Sequence, residues 1–429
     1  MKKEAVNSQL IRKRVNVEDL QIGMYVTELD RPWLQSPFLY QGFFLVNEKH
    51  VSQVKDFCDY VYIDTTKEIA SDDPILSLDK KFKKSILHDE PPPPYKKTFA
   101  QEFDKATEVY NKTASLVKSF MTGVGIEKQI DIEEAKKAVD ECVKSVINTP
   151  DALMWLTQLK KKDEYTAQHS MNVCLLSIAL GRHLNLPENE LRELGLCGML
   201  HDMGKMQIPL RILNKPGQLV GKEILIMQHH TTLGLQILKK SKGRVPLAVL
   251  NVAYSHHERI DGKGYPRGLT QDKLTQATRI VSIVDMYDAI TSDRVYQKGR
   301  SHLEAINILN KVSGTQVDYG LVVKFIECLS VYPHGTIVEM TNGELAIVME
   351  INQQERLRPK VMLLRDKHHL PVEEKLIDLS NREKDSNSQI YTIKRTVRAA
   401  DYDIDIAEFY NSGIMQRNVQ SMLQQSANH

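Results

Sequence analysis

Between Phe99 and about residue 330 the apolar residues recur at helical spacing, and polar residues of one chemical kind sit on those same faces. His169, His201, Asp202, His230, His256, His257 and Asp285 all lie in this stretch, and half of the chain's fourteen histidines fall between positions 169 and 257. Helices that bury imidazoles and carboxylates must supply them with partners, because an uncompensated buried polar group is costly. The pattern therefore predicts a helical domain whose core holds a polar cluster. Imidazole and carboxylate without thiolate is a ligand set for iron, manganese or zinc rather than for a structural zinc cage.

Around that stretch the chain of 429 residues is long enough for two or three domains. Lys+Arg 57 against Asp+Glu 55 leaves almost no net charge, so a general electrostatic attraction to DNA or to a membrane surface is not expected. Any phosphate on a substrate must be held by local groups. Cys58, Cys142, Cys174, Cys197 and Cys328 are odd in number and lack metal or disulfide spacing, which points to a reducing cytoplasm. The first residues lead into no apolar leader segment, and no apolar run approaches membrane-spanning length.

Residues 1–66 read as a small α+β module. Strands are expected at 23–27, 43–46 and 60–63, with a helix capped by Asn47 and carrying Val51, Val54 and Phe57. Arg31-Pro32-Trp33 reads as a packed turn. Residues 67–97 form a linker that ends in Pro91-Pro92-Pro93-Pro94, a semi-rigid spacer. Residues 98–331 are the helical domain, with its chemistry in a core at 150–315. Val109, Leu116, Val117 and Phe120 make one apolar stripe, and Ala135, Val139, Cys142 and Val146 another. Pro150 breaks the chain before 153–159, and Lys160–162 is a solvated helix end. Further helices are expected at 165–184, from Pro187 to His201-Asp202 with Gly204 stopping it, at 246–258 and at 277–292, besides one that carries both His229 and His230. From about 332 the period changes to two. Segments 336–340 and 345–351 flank Asn342-Gly343 as a hairpin, and 361–364 and 376–379 add strands to a β-rich region that ends near 411, before a tail at 412–429.

A lone histidine on an apolar helix face is usually a hydrogen-bonded core residue. The set is harder to explain that way. His201-Asp202 and His256-His257 are vicinal pairs whose side chains diverge by about 100° on a helix, which suits a site holding two ions about 3.5–4 Å apart. Either member of His229-His230 could contribute. His183, His302, His334, His368 and His369 have no partner pattern and read as surface or capping residues. Lys205 is either a helix-terminus cation or a phosphate contact, and Arg294 either complements a helix dipole or clamps a phosphate. Gly262 and Gly264 make a tight turn or let the backbone approach an anionic ligand.

The runs HDMGK at 201–205, HHERIDGKGYP at 256–266 and VDMYDAITSDRVY at 284–296 resemble the HD-GYP phosphodiesterases, a subgroup of the HD metal-dependent phosphohydrolases. The resemblance covers about residues 150–315. LQIGMYV at 20–26 is similar to a domain often found ahead of this class, and the start of the C-terminal region recurs after it. It implies one metal on His169, His201, Asp202 and Asp285, and a second on His230, His256 and His257 with Asp202 bridging. It gives Lys205 and Arg294 to phosphate oxygens, Asp163 to a guanine edge, and Gly264, Tyr265 and Pro266 to the substrate-facing loop. Some members hold a third metal through a glutamate where this chain has Tyr165, with Glu164 one residue out of register, so two ions are expected. Gln297 stands where relatives often have a cation, leaving Lys298 to supply that charge.

The implied activity is hydrolysis of a cyclic dinucleotide, cyclic di-GMP in the first place, to the linear dinucleotide. Two divalent transition metals, iron or manganese before nickel, zinc or magnesium, lower the pKa of the attacking water and neutralise phosphoryl charge. Asp202 and Lys205 carry the catalytic roles, and no motif identifies the group that protonates the leaving oxygen. Cyclic GMP-AMP is the alternative substrate, and a silent cyclic-dinucleotide-binding scaffold the alternative class. The N-terminal module is the expected seat of dimerisation or of a protein partner.

Overall fold

The computed structural model describes residues 12–31, 43–45, 48–65, 93–97, 99–123, 129–157, 165–292, 299–352, 355, 357–373, 375–404 and 406. The chain divides into two compact units, 1–90 and 91–429. Among the described residues, no helix is long and apolar enough to cross a membrane.

In the first unit β1 (Arg12–Asn16), β2 (Tyr25–Leu29), β3 (Phe43–Phe44) and β4 (Tyr60–Asp64) form an antiparallel sheet in the order β1-β4-β2-β3, with α1 (Glu48–Phe57) between β3 and β4. Alternation places Val26, Val61 and Ile63 inside with Val51 and Val54 of α1. Phe57, expected on that inner stripe, is 42% exposed, and Cys58 is buried instead. The strand β1 was not anticipated, because Arg12, Lys13 and Arg14 mask its one inward residue, Val15. Asn47, Pro32 and Trp33 lie outside the described residues.

The second unit begins before its first helix. Arg182 donates from Nη2 to the carbonyls of Pro93 (2.7 Å) and Pro94 (3.2 Å), and the amides of Lys96 and Lys97 both donate to Asn148 O. The end of the expected linker, 93–97, is thus held by backbone hydrogen bonds and is no free spacer; 67–92 lie outside the described residues. Helices follow as α2 (Phe99–Gly123), α3 (Ile132–Asn148), α4 (Pro150–Leu156), α5 (Tyr165–His183), α6 (Glu188–Leu200), α7 (Leu210–Leu213), α8 (Lys222–Gln228), α9 (His230–Lys239), α10 (Leu247–Ser255), α11 (Gln276–Thr291), α12 (His302–Val312) and α13 (Tyr319–Leu329). Local chemistry sets several of these ends. Asp131 accepts from the amides of Glu133 and Glu134 at the start of α3, Pro150 opens α4, and Ser301 with Glu304 makes a capping box on α12. Val139, Cys142, Trp155, Leu175, Ile178 and Leu200 are among the fully buried side chains of this core.

The C-terminal strands β5 (Ile337–Met340), β6 (Leu345–Glu350), β7 (Lys360–Arg365), β8 (Leu376–Asp378) and β9 (Ile393–Val397) form an antiparallel sheet in the order β8-β7-β6-β5-β9. Gly343 takes φ 89° in the β5–β6 turn, as the Asn-Gly pair predicts. The closing strand β9 was not anticipated.

Two histidines expected as surface or capping residues are buried. His302 bonds the Tyr287 hydroxyl (2.7 Å) and the Ser330 carbonyl (3.0 Å). His334 stacks on Phe99, donates from Nδ1 to Met349 O and faces Asp151 of α4 at 3.2 Å, joining the helices to the sheet. Burial pushes the His334 imidazolium down, but the Asp151 carboxylate, with Met349 O and Glu350, outweighs it and raises the pKa above the ordinary 6.5. A raised folded-state pKa gives stabilisation that is full below 6.5 and is lost as pH rises through the folded value. The melting temperature should therefore fall as pH is raised from below 6.5 through the raised folded-state value, and His334→Gln should flatten that dependence while lowering stability by about 2 kcal/mol. Calorimetry across that range checks both; an equally steep profile in the variant would place the titration elsewhere.

Candidate metal centre

Five segments of the helical unit converge on one buried cluster. His169 comes from the first turns of α5, and His201 is the residue that ends α6. Asp202 leaves the helix at φ −104°, ψ 11° and starts a 3-10 turn, Met203–Gln207. Gly204 was expected to stop α6, but the helix has ended by then, and Gly204 sits within the turn, pressed against α9. A Cβ there would overlap the His230 carbonyl oxygen and come within 2.5 Å of the Gly234 nitrogen. This backbone-to-backbone contact sets His230 beside Asp202.

The expected single helix through His229 and His230 is broken. His229 ends α8 and is exposed, whereas His230 opens α9 and is 1% exposed. His256 and His257 lie just past α10, where the chain turns out of the helix and both rings can face inward. Asp285 is buried in α11.

The geometry is organised by Asp202. Its Oδ2 faces His169 Nε2 (3.5 Å) and His201 Nε2 (3.3 Å), while Oδ1 faces His230 Nε2 (3.4 Å) and His256 Nε2 (3.7 Å). Asp285 Oδ1 stands 3.1 Å from His169 Nε2 and 3.9 Å from His201 Nε2. Three triads have donor atoms within 4.8 Å of one another: His169, His201 and Asp202; His230, His256 and His257; and His201, His256 and Asp285. The Nδ1 atoms of His201, His230 and His256 are spent on backbone carbonyls of Gly198 (2.7 Å), Met227 (2.6 Å) and Val252 (3.0 Å), which turns each Nε2 lone pair inward. His201 Nε2 and Asp202 Oδ1 are buried and make no hydrogen bond. Buried atoms of this kind are normally satisfied, so the donor set fits a divalent cation.

Electrostatics agree with that fit. Burial drives the His230 pKa down to about 3 and that of His257 well below the ordinary value, so both rings are neutral and ready to ligate. Burial pushes Asp202 up, but the Lys205 ammonium, which contacts its Oδ2, and then His201 and His169 outweigh burial and hold the carboxyl well below its usual range. Asp285 is likewise held down against burial, by His169 first and by His201 and His257. Both carboxylates stay ionised.

The glycine-rich loop closes over the second triad. Tyr265 stacks on His257 with ring centroids 4.8 Å apart, and its amide donates to His257 O. Buried Glu258 accepts from the amides of Arg267 (2.7 Å) and Leu269 (2.9 Å) and ties the far side of the loop down. Gly262 takes φ 75° for the turn, whereas Gly264 is demanded by proximity, since a Cβ would overlap the backbone of Glu258 and Arg259. Sequence reasoning gave Glu258 no role. Its place inside the HHE run was the available signal. Asp163, Arg294, Gln297 and Lys298 lie outside the described residues, as does the side chain of Tyr165. His230→Ala should weaken metal binding far more than His229→Ala, and metal titration with the reverse order would show that the exposed ring is the one that matters.

Comparison with known proteins assigns three stretches of the chain to family models. A family model described as an HD domain matches residues 153–321, a domain of unknown function matches 12–135, and a KOW domain associated with HD domains matches 337–395. A cyclic di-GMP phosphodiesterase of Pseudomonas aeruginosa is 35% identical over 374 residues, covering 86% of this chain and 89% of the relative. The chain belongs to the HD-GYP family. Other relatives match over a smaller share of both chains. A cyclic di-GMP phosphodiesterase of Thermotoga maritima is 36% identical over 39% of this chain and 45% of its own. A 3'3'-cGAMP-specific phosphodiesterase 1 of Vibrio cholerae is 36% identical over 39% of this chain and 38% of its own. The match to the domain of unknown function runs past residue 66, through the start of the second unit, into α2 and to the beginning of α3.

Proposed function

We propose that this HD-GYP protein hydrolyses a cyclic dinucleotide, cyclic di-GMP foremost, at a centre of two divalent transition metals, iron or manganese. The observation that carries this reading is the division of Asp202, one oxygen toward His169 and His201 and the other toward His230 and His256. A carboxylate so placed suits a pair of ions better than one. His169, His201 and Asp285 would hold the first ion and His230, His256 and His257 the second, with Asp202 between them. Bound there, the ions supply Lewis-acid stabilisation of phosphoryl charge and a lowered pKa for the attacking water.

The protein's own groups then have distinct tasks. Asp202, ionised by its surroundings, adds the negative charge that offsets two cations in a buried site. Lys205, partly exposed at the edge of the cluster and paired with Asp202, would offer its ammonium to a phosphate oxygen of the substrate. Tyr265 and the loop held by Glu258 cover His257 and restrict water at that side. Arg294 and Lys298 would complete the phosphate contacts, Asp163 would take a guanine edge, and Gly264 and Pro266 would shape the loop.

A cyclic GMP-AMP substrate is the second reading, favoured by the similarity to the 3'3'-cGAMP-specific phosphodiesterase 1 of Vibrio cholerae. Anaerobically purified protein should contain about two transition metals per chain and convert cyclic di-GMP to a linear product seen by chromatography. Parallel incubation with 3'3'-cGAMP ranks the two substrates. Metal-loaded protein that cleaves neither would overturn the proposal.

A further inference from the structure

His169 differs from the other histidines of the cluster in what holds it. The Nδ1 atoms of His201, His230 and His256 rest on backbone carbonyls three or four residues earlier, so their orientation is fixed by helix geometry. His169 Nδ1 instead meets a side chain, Asp288 Oδ2, at 2.7 Å, one turn beyond Asp285 on α11. Asp288 is 3% exposed, and both of its oxygens meet further side chains. Asn172, one turn beyond His169 on α5, donates from Nδ2 to Oδ1 at 2.8 Å, and Ser292 Oγ lies 3.2 Å from Oδ2. A buried carboxylate with these neighbours is an acceptor for the imidazole N–H, which leaves the His169 Nε2 lone pair aimed at Asp202 and Asp285.

We infer that Asp288 is a positioning residue for one half of the centre: it fixes the tautomer and ring orientation of His169 and so sets the affinity of the ion on the His169 side, with Asn172 anchoring it. The inference rests on the proposed metal centre, but concerns a residue outside the ligand set. Its consequence is asymmetry. Three histidines owe the Nδ1 contact that aims them to the backbone and would keep it through side-chain substitution, whereas the Nδ1 of His169 is held by a carboxylate that a substitution can remove.

Titration of metal-free protein with manganese(II), in competition with a chromophoric chelator, reads the affinity of each ion without reference to turnover. Asp288→Ala should weaken one of the two ions by about 10–100-fold and leave the other near its wild-type affinity. Asp288→Asn keeps the size and so the fold, but offers Nδ1 either an uncharged acceptor or the wrong hydrogen, and should weaken the same ion. Asn172→Ala should move it in the same direction by less. Unchanged affinity in both Asp288 variants would overturn the inference, as would equal loss of both ions or loss of helical circular dichroism in metal-free D288N. If the wild-type protein itself binds no ion, the metal centre fails first, which keeps the two failures apart.

Discussion

Replacing Asp202 by alanine is expected to remove both metals and to lower the rate of cyclic-dinucleotide hydrolysis on the order of 10³-fold or more, while the helical fold survives. Each oxygen of this carboxylate faces a different pair of histidines, so no single remaining residue can take its place. The loss should be steeper than for any one histidine, because a histidine serves one side only. Survival of the fold is expected because the packing of α5, α6 and α10 is carried by apolar side chains such as Leu175, Ile178, Leu200 and Val252. Removing a buried anion also relieves a desolvation penalty, although it leaves Lys205 without its acid partner. Elemental analysis, activity and far-ultraviolet circular dichroism on one preparation check the three parts. A variant that keeps one full equivalent of metal would show that Asp202 belongs to a single ion.

Gly204→Ala is expected to do nearly as much damage by a different route. The added methyl would overlap the His230 carbonyl and press on the Gly234 amide, both of them backbone atoms that have no alternative rotamer. Either the 3-10 turn or α9 must move, and both lead directly to proposed ligands, Asp202 on one side and His230 on the other. The destabilisation should exceed about 3 kcal/mol, more than ordinary overpacking of a core, because backbone rather than side chain must give way. Affinity for the ion proposed at His230 should drop with it. Gly234→Ala should be milder, since a Cβ there would stand 3.3 Å from the Gly204 nitrogen, a contact that a small shift can relieve. Denaturation midpoints with metal titrations of the two alanine variants test the order, and a stable Gly204→Ala protein with unchanged metal affinity would sink it.

The sequence was most informative where one physical signal dominated. Helical spacing located α5, α6 and α11 to within a residue or two, because each has a continuous apolar face that must be buried. Asn342-Gly343 marked its turn through the positive φ it requires. The histidine and carboxylate pairs announced a polar core because such residues are rarely buried without partners. The strands β1 and β9 were missed because their outward residues are charged and their partners are distant in sequence.

What the sequence by itself determined was the chemical inventory: a helical body, a ligand set without thiolate, and the motifs that tie them to the HD-GYP family. Only the tertiary structure decided how that inventory is used. It buried His230, which the resemblance had already favoured, and left His229 exposed, turned Gly204 from a helix stop into a contact between two backbones, placed His334 against Asp151, and set Asp288 behind His169. Composition and spacing state which groups a chain owns and which face of a helix they occupy. Which atom meets which depends on where helices end and how closely they approach, and those quantities are fixed by packing between segments far apart in the chain.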